Sequence, residues 1–131
     1  MPPRPAHGSP EEWLRRARAS LALARATGDG ILLEDLCYQA QQAAEKAMKA
    51  VYIARGQPFL FTHDLDILAL GLELMGLSIP EAIDQATLLT RYAMDTRNPG
   101  GFEPVGPGEY GEAVQLAEAV ILWAQAQIRG A

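Results

Sequence analysis

An all-α fold, an up-and-down antiparallel four-helix bundle with an additional short helix, is what three observations predict. Apolar residues recur every three or four positions through four long segments. No segment alternates at period two with β-branched enrichment and hairpin turns, so no strand is expected. Of the 131 residues, 49% are hydrophobic and 21% charged, the composition of a chain that buries a core. A chain of this length fits one domain that buries about two thirds of its unfolded surface without help from metal or disulfide.

Residues 1–8 hold three prolines and a glycine with no periodicity, and read as a mobile tail ahead of a single domain over 9–131. Ser9, Pro10 and Glu12 supply an N-cap, a first-turn proline and a capping-box glutamate, and so start the first helix. Its apolar stripe is Trp13, Leu14, Ala17, Leu21 and Ala24, and Gly28 and Gly30 break it. From Ile31 to Arg55 runs an alanine-rich helix with Leu36, Ala40, Ala43, Ala47, Ala50 and Ala54 on one stripe, and Gly56 follows as its C′ residue. Small residues on a buried stripe let neighbours approach closely, which makes this the central helix.

Past an aromatic connector with Phe59 and Phe61, Thr62 is the expected cap of a short helix carrying Leu65, Leu68, Leu72 and Met75, which Gly76 ends. Pro80 opens a fourth long helix with Ile83, Ala86, Leu89 and Ala93 inward, closed by Asn98-Pro99-Gly100-Gly101. The last helix starts near Pro107 and buries Tyr110, Ala113, Val114, Ala117, Val120, Ile121, Ala124 and Ile128, leaving Glu109, Glu112 and Glu118 for solvent. Short connections favour antiparallel neighbours around one core.

Eleven basic against 16 acidic residues give a net charge of −5, a field that repels phosphate backbones, although one local basic patch can still hold a phosphate. The single cysteine, Cys37, and the lack of a leader pattern make the cytoplasm the default compartment. Even the richest apolar stretch, Ala113 to Ile128, is interrupted by polar residues, so no membrane span is expected.

One cysteine and two histidines do not make a zinc set, and neither His7 nor His63 follows a glutamate by three residues as a di-iron bundle requires. No phosphate loop or dinucleotide fingerprint is present, and no cofactor is expected. Cys37 is either a nucleophile awaiting a base or, the plainer reading, a buried inert thiol. His63, between Thr62 and Asp64, can cap a helix start, contact a carboxylate or touch a ligand. Tyr38, Gln42, Glu45, Lys49 and Tyr52 form a polar stripe that either lines a groove or is a solvated face with Glu45 and Lys49 paired. The stretch Thr90 to Gly100 gathers Arg91, Tyr92, Asp95 and Arg97, where arginine forks suit phosphate or carboxylate and also complement a helix C-terminus.

Three segments together resemble the HEPN domain: Leu36 to Ala50 (LCYQAQQAAEKAMKA), Thr62-His63-Asp64-Leu65, and Thr96-Arg97-Asn98-Pro99-Gly100, in the family's order across about residues 11 to 127. The resemblance implies an up-and-down bundle with an extra short helix, usually a homodimer, often produced beside a small nucleotidyltransferase of a toxin–antitoxin pair. Many members are metal-independent ribonucleases with an arginine followed, after four to six residues, by a histidine. Here those positions hold Thr96, Arg97 and Asn98 counted from Arg91, and Phe102, Glu103 and Pro104 counted from Arg97, and none is histidine. A site without an imidazole lacks the usual general base. The leading expectation is a non-catalytic binding subunit in which Tyr38, Gln42, Glu45, Lys49, His63, Arg91, Tyr92 and Arg97 engage a nucleotide or a partner protein. The rivals are an RNA-cleaving toxin with His63 as substituted base and a purely structural oligomerisation module.

Overall fold

The computed structural model describes residues 8–94 and 104–130. Over them the chain is helical without strands: α1 (Pro10–Ala24), α2 (Leu33–Ala54), α3 (Leu65–Leu74), α4 (Glu81–Gln85), a 3-10 turn (Ala86–Thr90), α5 (Arg91–Met94) and α6 (Pro107–Arg129). The expected all-α bundle with its short extra helix is what forms, and the mobile tail over 1–8 lies, apart from Gly8, outside the described residues.

Ser9 caps α1 as expected, its hydroxyl accepting the Glu12 amide at 3.2 Å. Glu12 itself does not reach back to complete a capping box. Its carboxylate instead takes Arg15 at 3.2 Å and Arg16 at 3.0 Å. α2 lies at the centre against α1, α6 and α3, with Ala40, Ala43, Ala44, Ala47 and Ala50 fully buried. Its N-cap, Leu32, offers no side-chain bond, so Glu34 and Asp35 in the first turn carry the electrostatic support at that end. Gly56 at φ +69 and Gly76 at φ +94 end α2 and α3 in the left-handed conformation that glycine adopts without strain.

Two further details depart from expectation. The cap of α3 is Asp64, whose carboxylate accepts the Asp66 amide at 2.9 Å, while Thr62 sits two residues earlier and accepts the Asp64 amide at 3.0 Å. A carboxylate is the stronger acceptor and favours the positive end of the helix. The fourth helix is one path from Glu81 to Met94 whose middle tightens into the 3-10 turn. There the Thr87 hydroxyl donates to the Asp84 carbonyl at 2.6 Å and competes with the α-helical ladder. Ile83, in α4, and Ala86 and Leu89, in the 3-10 turn, stay buried, because a spacing of three keeps residues on one side of either helix type. The closing Asn98 to Gly101 lies outside the described residues.

α3 meets α2 at an unusually close point. A Cβ on Gly71 would stand 2.0 Å from the Tyr52 hydroxyl, which donates to the Leu68 carbonyl at 2.6 Å. Gly71→Ala is therefore expected to lose about 1–2 kcal/mol despite alanine's better helix propensity, because it expels a buried hydroxyl from its bond. In a Tyr52→Phe background the same change costs less or stabilises, and urea titrations of the four proteins read the difference.

Candidate functional site

The polar stripe of α2 is neither an open groove nor a solvated face at its middle. Glu45 and Lys49 are buried, with Lys49 Nζ 2.9 Å from Glu45 Oε2 and 5.0 Å from the centre of the Phe59 ring. The other carboxylate oxygen accepts the Gln41 amide at 3.1 Å and meets His63 Nδ1 at 2.8 Å. Gln41, fully buried, also donates to the His63 carbonyl at 2.9 Å and accepts from Gln42 at 2.8 Å. Burial raises the Glu45 pKa, but the bonds from Lys49, His63 and Gln41 more than offset this and hold it below the ordinary carboxylate value. The network ties α2 to the connector ahead of α3 and leaves the His63 side chain 60% exposed.

A second constellation gathers where the fourth helical path meets the start of α6. Tyr92, buried, donates its hydroxyl to the Glu109 carboxylate in a short hydrogen bond, and Arg91 Nη1 approaches the same carboxylate at 3.8 Å with its guanidinium 5.5 Å from the Tyr92 ring. Burial and the Glu109 charge push the Tyr92 hydroxyl well above the ordinary phenol value. Cys37 lies against this group, and burial with the Glu109 charge pushes its thiol up to about 11. A recess of about 200 Å³ opens here, lined by Leu88, Leu89, Arg91, Tyr92, Glu109 and Glu112 among others. Glu34 anchors the approach to α6 by accepting the Val105 amide at 2.9 Å.

The structure thus gathers Gln42, Glu45, Lys49 and His63 into one network and Arg91 with Tyr92 into another. Tyr38 stands half-buried one turn before Gln42 on α2, and Arg97 lies outside the described residues. The Leu65 amide donating to Thr90 Oγ1 at 3.0 Å joins the chain beside His63 to the chain beside Arg91. Sequence reasoning missed Gln41, although Gln41, Glu45 and Lys49 at strict four-residue steps carry the signal. It also assigned Glu109 to solvent, and no local pattern reveals that Tyr92 and Arg91 draw it in.

Among the described residues, no group of three His, Cys, Asp or Glu side chains is placed to hold a metal, and no helix is long and apolar enough to cross a membrane. A thiol that is buried and titrates near 11 is a poor nucleophile at neutral pH. Cys37 is accordingly expected to react with a thiol reagent at pH 8 at least about a hundredfold more slowly than free cysteine, and to reach the free rate in denaturant.

A family model described as the HEPN domain matches residues 10–127. No curated protein matches the chain. Among solved structures, the crystal structure of ST0689, an archaeal HEPN homologue, is similar with a TM-score of 0.71 at 25% sequence identity, covering 92% of this chain and 98% of that one.

Proposed function

The chain belongs to the HEPN domain family, and we propose that it is a non-catalytic binding subunit of that family, a partner of a small nucleotidyltransferase in a toxin–antitoxin-like pair. The observation that carries this reading is the lining of the Arg91 recess. Among the described residues, one arginine faces two carboxylates, Glu109 and Glu112, beside a tyrosine, and the family's arginine-to-histidine spacing holds no imidazole. A site with that balance repels phosphate and lacks a proton carrier near neutral pH, but suits polar and apolar side chains of a protein. Capture of the tagged chain from its native cells is expected to retain a small nucleotidyltransferase in fixed ratio. RNA without a protein partner is the result that overturns the reading. Nucleotide binding is the alternative within the same role: a calorimetric ATP titration that responds to Arg91→Ala would move the assignment from protein to nucleotide.

One observation favours a second reading, a ribonuclease with a displaced base. His63 presents an exposed imidazole whose Nδ1 is oriented by the buried Glu45, the arrangement that readies a histidine for proton transfer. Cleavage of total RNA by the purified chain, lost in His63→Ala, supports it, and intact RNA at micromolar protein rejects it.

A further inference from the structure

α3 is apolar on two sides. Leu65, Leu68 and Leu72 face the core, while Ile67, Leu70 and Leu74, at steps of three and four, share the opposite face and are 42%, 56% and 80% exposed. Leu60 and Phe61, 58% and 97% exposed, stand in the connector just before it. Removing such side chains from water favours association, and a stripe of them along one helix is the pattern by which another helix docks.

The charge around this face is one-sided. From Gly56 to Thr90 the chain holds five acidic residues, Asp64, Asp66, Glu73, Glu81 and Asp84, and no lysine or arginine. The remaining eleven acidic residues balance the eleven basic ones, so this segment carries the whole net charge of −5. Asp66 and Glu73, seven residues apart, run along α3 beside the apolar stripe. An acidic border repels nucleic acid and anionic lipid, and self-pairing of this face about a twofold axis would bring Asp66 and Glu73 of one copy close to the same carboxylates of the other.

We infer that the outer face of α3, with Leu60 and Phe61, docks a basic amphipathic helix of a partner protein, whose apolar stripe covers Ile67, Leu70 and Leu74 and whose lysines or arginines meet Asp66 and Glu73. This rests on the binding-subunit reading only in supplying the partner; the surface itself rests on the exposed stripe and its acidic border. The test uses the full chain and two fluorescein-labelled helical peptides, one of leucine and lysine and one of leucine and glutamate, read by anisotropy. The lysine peptide binds and the glutamate peptide does not. Leu70→Ser with Leu74→Ser weakens binding by about tenfold or more at unchanged circular dichroism. Asp66→Lys with Glu73→Lys shifts preference toward the glutamate peptide, and added salt weakens the wild-type complex.

Undiminished binding by the serine variant overturns the inference. So does a wild-type dimer in sedimentation that the serine substitutions dissociate, since the face would then pair copies of this chain. If a nucleotidyltransferase is retained equally by wild-type and serine variant, the subunit reading stands and the surface assignment falls. If the peptide results hold while no nucleotidyltransferase is captured, the surface stands and the subunit reading falls.

Discussion

Glu45→Ala is expected to destabilise the fold by about 3–5 kcal/mol, more than any other single polar truncation in the described residues. The substitution strands the buried Lys49 ammonium, which among the described residues keeps the Phe59 ring as its attractive neighbour, and removes an acceptor from Gln41 and from His63. A buried ion pair adds little over an apolar replacement of similar shape, but losing one member leaves a charge out of water. Glu45→Gln with Lys49→Met should therefore recover most of the stability that either substitution removes alone, and a double-mutant cycle in urea reads the coupling. The pH dependence has a definite sign. The folded pKa of Glu45 lies below 4.5, so its contribution is complete above the unfolded carboxylate value and is lost as pH falls from there through the lowered folded value. Thermal melts between pH 5 and 3 should fall less steeply for Glu45→Gln than for wild type, and equal slopes would remove Glu45 from the acid limb.

That network also shows what can be read from one chain. The cap at Ser9, the glycine stops at Gly56 and Gly76 and the start at Pro107 are local signals, each set by backbone geometry or by orphan amides within a few residues, and each falls where the sequence places it. The alanine stripe foretold a central helix because close approach needs small side chains whatever the neighbours are. The burial of Glu45 and Lys49 was not legible: an i,i+4 acid–base pair looks the same on a solvated face, and only the connector carrying Phe59 and His63 closes over it. The 3-10 turn escaped for a related reason, since a face at Ile83, Ala86 and Leu89 satisfies either helix type and the spacing alone does not separate them. At the Arg91 recess, Tyr92 and Arg91 were visible as a cluster, but their partner Glu109 arrives from a helix 17 residues away.

The leucines of α3 make the same point in energies. Hydropathy assigns Leu68 and Leu70 equal weight, yet Leu68 is fully buried against the bundle and Leu70 is 56% exposed. Leu68→Ala removes atoms from a packed site and leaves a cavity, an expected loss of about 2–5 kcal/mol, or a fall in Tm of about 8–20 °C for a domain of this size. Leu70→Ser gives up a half-exposed side chain and a few tenths of helix propensity, an expected loss of under about 1 kcal/mol. Calorimetry of the two variants should separate them by at least about 5 °C. Comparable losses would mean that Leu70 is buried in the folded protein in solution, and that its exposure on α3 is covered by a second copy rather than held open for a partner. A wide gap keeps the two faces distinct: the inner leucines hold α3 to α2, and the outer ones contribute nothing to folding that would account for a row of large apolar side chains facing water.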